Sequence, residues 1–287
     1  MKKVVLVTGA SSGIGKATAQ QLIKEGHIVY GAARRVEKMS DLESAGGYAV
    51  KMDVTNEDEV QAAVDKIIAE QGRIDVLVNN AGYAVYGPVE HVSMEDAKRQ
   101  FDVNIFGLAS ITQKVIPHMR TKKSGTVINI SSIGGKIYTP FGAWYHATKF
   151  ALEGWSDCLR LELKDFGIDV VMVEPGAIKT EFMSVMYQPM VERGAGTAYE
   201  SSLNFMAQAA ASMEENGQGS PPSVIAETIS KAVKSAKPKT RYASGAMAKM
   251  LLRMRRWTSD RTFDKIIMSQ INKLKKKNKG ATTTVNS

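Results

Sequence analysis

The chain has a single cysteine, Cys158, among 287 residues, which excludes an intrachain disulfide and a cysteine-rich zinc centre. Its four histidines, His27, His91, His118 and His146, are scattered without metal-ligand spacing. Each is expected to be structural, and no metal is expected. No apolar run approaches the ~18 residues that span a bilayer. Met1-Lys2-Lys3 is followed by only the short apolar run 4–7, too little for a signal peptide. With 44% hydrophobic and 23% charged residues, wholesale disorder is also excluded. These absences predict a soluble, cytoplasmic protein, and the length permits one large α/β domain or two small ones.

The net charge is +9, but it is unevenly spread. Residues 231–279 hold 16 basic side chains and two acidic ones, Asp260 and Asp264, a local +14 that leaves −5 for the remainder. A pI near 9.4 would suggest nucleic acid if the charge were general. Here the basic question belongs to the C-terminal segment alone, and no nucleic-acid partner is expected.

Short β-branched runs at 4–7, 28–32, 48–52, 76–78, 126–130 and 170–173 alternate with amphipathic stretches at 14–25, 57–71, 94–119 and 145–166. Nearly continuous apolar runs suit strands buried on both faces of a parallel sheet. Alternating β and α units predict right-handed crossovers with helices on both faces. Asn56 reads as an N-cap, with Glu59 completing a capping box. After Pro175-Gly176 the pattern loosens across 181–222, and a helix at 224–236 and a strand at 241–244 are predicted to follow. Two basic helical stretches then occupy 246–275, and 276–287 reads as a frayed tail.

Thr8-Gly9-Ala10-Ser11-Ser12-Gly13-Ile14-Gly15 joins the first strand to the first helix. Glycines there let the backbone turn tightly and approach a pyrophosphate, which the helix N-terminus attracts. The spacing is Gly-x-x-x-Gly-x-Gly, unlike the commoner Gly-x-Gly-x-x-Gly. This turn, Asn79-Asn80-Ala81-Gly82, Asn104, Ser132, Tyr145-His146-Ala147-Thr148-Lys149 and Pro175-Gly176 occur in one order. In that order they resemble the classical short-chain dehydrogenase/reductase (SDR) family across roughly residues 1–245. The resemblance implies a single Rossmann-fold domain around a parallel sheet of about seven strands, binding NAD(H) or NADP(H), with a variable substrate lid at 181–222. Gly82-Tyr83-Ala84 and the C-terminal extension further resemble the 17β-hydroxysteroid/retinol dehydrogenase-like branch.

Cofactor choice follows from charge. An NAD site usually places a carboxylate at the end of the second strand to grip the ribose 2′-OH. This chain has Ala33 there, then Arg34 and Arg35. A guanidinium binds a 2′-phosphate that a carboxylate would repel, so Arg34 points to NADP(H), with a solvated arginine pair as the plainer reading. The resemblance places Gly9, Ser11, Ser12, Gly13, Ile14 and Gly15 at the pyrophosphate, Asp53 and Val54 at the adenine, and Asn80 near its ribose. It places Ile178 and Thr180 at the nicotinamide carboxamide, presenting the pro-S face.

Tyr145 and Lys149 are four apart on a predicted helix and share a face. Ser132 lies thirteen residues before Tyr145; its neighbour Ser131 should point to the opposite face. By the resemblance, Tyr145 is the general acid/base, Ser132 bonds the substrate carbonyl, Lys149 holds the nicotinamide ribose, and Asn104 anchors a water that links Lys149 to solvent. An ammonium about 4 Å from a phenol contributes up to ~4 kcal/mol at an effective dielectric near 20, enough to bring a pKa of about 10 towards about 7.

The methionine-rich segment 181–220, with Phe182, Tyr187 and Phe205, suits an adaptable apolar pocket. Tyr83, Val85, Tyr86, Tyr138 and Phe141 are candidates for its other walls, though ordinary packing would use the same residues. The expected substrate is a hydrophobic ketone, aldehyde or alcohol, and a homo-oligomer, dimer or tetramer, is expected. The alternative function is a noncatalytic NADP(H)-binding regulator or a membrane-surface protein on the same fold. In the extension, Met247, Met250, Leu251, Met254 and Trp257 form one apolar stripe, with Lys249, Arg253, Arg255 and Arg256 on the other sides. Phe263, Ile267, Ile271 and Leu274 repeat the pattern. Packing of these stripes onto the enzyme or a second subunit is favoured over contact with an anionic membrane.

Overall fold

All seven β-rich runs become strands in the computed structural model, which describes residues 1–283, without the side chains of 183–184, 213–215 and 273–283. The strands are β1 Val4–Thr8, β2 Ile28–Ala33, β3 Tyr48–Lys51, β4 Val76–Asn79, β5 Gly125–Ile130, β6 Ile168–Pro175 and β7 Arg241–Ser244. They pair in parallel in the order β3-β2-β1-β4-β5-β6-β7. Alternation along each strand divides the core into two layers. Val4, Leu6, Leu77 and Val127 face α3 (Glu57–Gln71), α5 (Leu108–Lys122) and α6 (Ala143–Leu163). Val5, Val7, Val78 and Ile128 face α1 (Gly13–Lys24), α2 (Ser40–Ser44) and α9 (Pro222–Lys234). The result is a doubly wound sheet with helices on both faces. Its strand order reverses between β1 and β4, where such sheets open a crevice at their C-terminal edge.

Several expectations change in detail. Asn56 caps α3 by accepting from the amides of Asp58 and Glu59, both at 3.1 Å. Glu59 does not complete the box; its carboxylate accepts from the Asp53 amide at 2.7 Å and shapes the turn after β3. The helix expected over 94–119 is α4 (Met94–Phe101), a π turn Asp102–Gly107, and then α5. Gly107 permits this, because a Cβ there would meet the Val54 carbonyl at 2.7 Å. The loosened segment forms two helices, α7 (Glu181–Gly194) and α8 (Glu200–Glu215).

The extension forms α10 (Ala248–Trp257) and α11 (Asp260–Thr283). Its first stripe is packed only in part, with Leu251 and Met254 partly covered. Ala248 is buried and Leu251, Leu252 and Arg255 are partly covered, whereas Met247, Met250 and Trp257 are exposed. Arg255 packs because its guanidinium lies over the rings of Tyr138 and Phe263, at 5.6 and 5.4 Å. Phe263 is fully buried, as its stripe predicts. The Leu274 side chain and residues 284–287 of the expected tail lie outside the described residues.

Candidate active site

Every residue singled out for the site lies at or beyond the C-terminal end of a strand, a consequence of all strands running parallel. The loop after β1 is pinned from beneath. The amides of Asn80 and Ala81 both donate to the Thr8 hydroxyl at 3.0 Å, and the Asn80 side chain donates to the carbonyls of Thr8 and Gly9 at 3.0 and 3.3 Å. Asn80 therefore holds the glycine turn itself. Thr8 is a site-building residue that the sequence pattern did not single out.

Gly9 has φ +67° and no room for a Cβ, which would meet Ala81 Cα at 2.9 Å. Gly13 has φ +55°, a backbone that favours glycine. Gly15 is packed against the Gly9 carbonyl and Asn80, so it serves helix-to-strand packing as well as the turn. Ser12 occupies the N-cap of α1 without a side-chain cap bond, and the first turn carries no acid. Such an uncapped, positively polarised helix end suits an anion. A groove of ≈ 790 Å³ runs along Ser11, Ser12 and Gly13 to Thr180.

A second cleft, ≈ 250 Å³, is lined by Arg34, Asp53, Val54, Arg99 and Gly107. Arg34 is largely exposed, with its guanidinium 4.0 Å from the Asp53 carboxylate. Burial raises the Asp53 pKa, but the amide and hydroxyl of Thr55, then Arg34 and Arg99, outweigh it and hold the carboxyl below its usual range. Arg99 was not singled out in the sequence, because only the fold brings α4 beside the end of β2. Arg35 is exposed to solvent. The glycine cradle and the uncapped helix fit a dinucleotide, and Arg34 and Arg99 offer cations for an extra phosphate in a cleft that Asp53, Glu57 and Asp102 also line.

At the end of β5, the Ser132 hydroxyl accepts from the Gly134 amide at 3.0 Å and lies close enough to Tyr145 to lower its pKa. Ser131 points away, its hydroxyl buried without a partner beside Gly135. Lys149 is buried and donates to the Ile130 carbonyl at 2.8 Å, with its nitrogen 5.9 Å from the Tyr145 ring centroid. The expected lowering of the phenol's pKa is not what this arrangement gives. Burial pushes Tyr145 up, only partly offset by Ser132, and burial lowers Lys149 to about 8 despite the charge of Glu153. The lysine is spent on a backbone carbonyl, and desolvation governs both groups.

Asn104 sits in the π turn, and such single π turns recur at functional sites. Its side chain accepts from the Tyr83 amide at 3.1 Å and donates to the Tyr83 carbonyl and the Thr148 hydroxyl at 2.9 and 3.2 Å. The amide thus clamps the 83–87 loop to α6. His146, beside Tyr145, bonds the Gly134 carbonyl at 2.9 Å and accepts from the Thr139 amide at 3.1 Å, tying down the loop before α6.

Behind Lys149 lies a buried ionic cluster. Glu153 meets Lys136 and Arg241, each at 3.1 Å, and Arg241 reaches Glu174 at 3.5 Å. Burial, reinforced by the Glu153 charge, pushes the Glu174 pKa up to about 7.

Above Tyr145, Tyr86, Met186, Met190 and Leu203 form a buried apolar cluster flanked by Phe141, Phe182, Tyr187 and Met206. The rings of Tyr86 and Phe182 lie 5.8 and 5.9 Å from that of Tyr145. Tyr86 and Phe141 thus belong to this cluster. Tyr138 does not; its ring packs on Phe263 and its hydroxyl donates to Asp264 at 2.9 Å. Met183 and Met213 fall outside the described side chains. Ile178 bridges to Ser220, and Thr180 caps α7 by accepting from Phe182 at 3.3 Å. Thus α7 begins at the groove wall.

A family model described as short chain dehydrogenase matches residues 3–190. A 3-ketodihydrosphingosine reductase of Bacteroides thetaiotaomicron is 37% identical over 260 residues, covering 90% of this chain and 94% of that protein. An NADPH-dependent 3-dehydrocapnine reductase of Ornithobacterium rhinotracheale is 33% identical over 285 residues, 95% and 98% of the two chains. Among solved structures, a short-chain dehydrogenase of Streptomyces avermitilis superposes with a TM-score of 0.76 at 33% identity, covering 98% of this chain and 99% of that one. A serine dehydrogenase complexed with NADP+ gives 0.70 at 28% identity, covering 83% and 92%. None of these four is a 17β-hydroxysteroid or retinol dehydrogenase by name.

Proposed function

Because this chain belongs to the short-chain dehydrogenase family and is therefore an oxidoreductase, we propose that it reduces the ketone of a long-chain, sphingoid-type lipid with NADPH. The observation that carries this reading is Tyr145 packed beneath an apolar cluster, with Ser132 beside it and Lys149 one turn away. Two relatives named for ketodihydrosphingosine and dehydrocapnine reduction support the substrate class. Ala33 rather than a carboxylate at the end of β2, with Arg34 and Arg99 lining the cleft beside it, supports a 2′-phosphate, as do the NADPH-dependent relative and the NADP-bound structural neighbour.

When bound, NADPH supplies hydride to the carbonyl carbon. Gly9, Ser11, Ser12, Gly13, Ile14 and Gly15 would hold its pyrophosphate, Asp53, Val54 and Asn80 its adenosine end, and Ile178 and Thr180 its carboxamide. Ser132 donates to the carbonyl oxygen, fixing it beside the phenol. Tyr145 gives that oxygen its proton. The raised pKa makes the phenol a weaker acid than a free one, but it keeps Tyr145 protonated at neutral pH and leaves little phenolate for the reverse reaction. Lys149 donates to the nicotinamide ribose, with Ile130 setting its position. Asn104 holds the 83–87 wall and α6 in register, and its remaining lone pair is free for the water expected there. A noncatalytic binder would have no use for a phenol and a serine side by side beneath a closed apolar roof.

Phe106, Phe150 and Leu161 are exposed on the helical surface, which supports a homo-oligomer. The reaction is tested with ketones of increasing chain length, including sphingoid-type ketones, following oxidation of NADPH and NADH. Turnover that rises with chain length and favours NADPH is expected. Preference for NADH would refute the reading of Arg34, and silence on every long-chain ketone would refute the substrate class.

A further inference from the structure

The extension is fastened by one face of α10. Ala248, Leu251 and Leu252 pack inward with Arg255, which bridges to Asp260 at 2.5 Å and donates to the Thr258 carbonyl at 3.1 Å. Phe263 then seats edge-on against Tyr138, with centroids 5.1 Å apart. That anchoring leaves an outer face of uncommon composition. Trp257 is 82% and Met250 56% exposed, and Met247 at the start of the helix is 42% exposed. At 3.6 residues per turn, Met250, Met254 and Trp257 fall within a roughly 60° arc. Lys249, Arg253 and Arg256 occupy a neighbouring arc of roughly the same width. Lys249, Arg253 and Arg256 make no ion pair among the described residues, and Arg256 lies 5.8 Å over the Trp257 ring.

We propose that this face of α10 docks on an anionic phospholipid surface, with Trp257 and Met250 at the acyl boundary and Lys249, Arg253 and Arg256 on the headgroups. Half of the face is apolar and half cationic, the composition of a helix that lies in the interfacial plane. Indole in particular settles at headgroup depth. The molecule's charge asymmetry gives the orientation. Residues 1–245 carry 27 basic and 27 acidic side chains and are neutral overall, whereas residues 246–287 carry 11 basic and two acidic ones, a net +9 that draws the extension to an anionic surface. A nucleic acid would satisfy the cations but leave the tryptophan and methionines without partners. A symmetric second copy would bring the two sets of arginines against one another. The proposal does not depend on the substrate. It does place the anchor on the helix whose inner side braces Tyr138, in the loop that leads to Tyr145.

The test uses the full chain, sedimented with phosphatidylcholine vesicles and with vesicles that also contain phosphatidylglycerol. Binding at least tenfold tighter to the anionic vesicles is expected, weakening as salt is raised. Each Lys or Arg near such a surface strengthens binding about fivefold, so Lys249→Gln/Arg253→Gln/Arg256→Gln should lose at least tenfold. Trp257→Ala should remove a blue shift of tryptophan emission that accompanies binding. Both variants should keep the wild-type circular dichroism and ketone turnover in vesicle-free solution. Equal binding to neutral vesicles, unchanged binding by the triple variant, tighter binding to a DNA duplex, or loss of an oligomer in Trp257→Ala would each overturn the proposal.

Discussion

Lys149 lies in the protein interior, one helical turn from Tyr145, and burial lowers its pKa to about 8. In the proposed reaction its charge holds the ribose, so the sign is fixed. The ammonium is present below about pH 8 and lost above it. The ketone-reduction kcat/KM should therefore be level below that point and fall above it. Lys149→Arg should flatten that limb, because a guanidinium stays protonated; an unchanged limb in that variant would remove Lys149 from the assignment. Alcohol oxidation should rise with pH instead, since it needs the phenolate that burial disfavours. Ser132, Tyr145 and Lys149 were legible because their spacing is local and ordered along the chain. Arg99, Thr8 and Glu153 were not, because each acquires its role only when distant segments meet across the sheet edge. The protonation of Tyr145 was misjudged for the same reason, since the desolvation that dominates it depends on the lid.

In the proposed reaction α7 and α8 form the lid, and Arg193 is one of the side chains that tie it to the body. Arg193 donates to the Tyr86 carbonyl and to the Asp96 carboxylate, both at 3.1 Å, joining α7 to the 83–87 loop and to α4. A partly exposed charge-assisted pair is worth ~1 kcal/mol. Arg193→Ala should accordingly raise the ketone KM about fivefold and leave the affinity for NADPH unchanged, as steady-state kinetics and cofactor titration would show. A fall in kcat with KM untouched would mean that Arg193 serves something other than lid closure. These two helices escaped the sequence pattern because Pro189, Gly194 and Gly196 interrupt the apolar period. The π turn escaped it because one extra residue in a helical turn leaves hydrophobic spacing nearly intact. The six N-terminal strands, by contrast, could be read directly, since burial on both faces of a parallel sheet demands near-continuous apolar runs.

Across the whole molecule, parallel strands collect at one edge the residues that follow β1, β2, β3, β4, β5 and β6, so a single crevice runs from Arg34 to Thr180. The chain's charge divides accordingly. The body, balanced in charge, carries the crevice, and the basic extension lies outside it, braced on Tyr138. The extension's amphipathic period was evident in the sequence, but not which side would face inward, because Arg255 stacks on two rings and draws its own side to the body. The central claim, that Tyr145 delivers the proton as hydride reaches the ketone, is tested most directly with Tyr145→Phe, measuring ketone turnover and NADPH affinity on the same preparation. General acid catalysis contributes ~10²–10⁴ in rate, so turnover should fall at least a hundredfold while NADPH binds as in the wild type. Near-normal turnover in that variant would contradict the account.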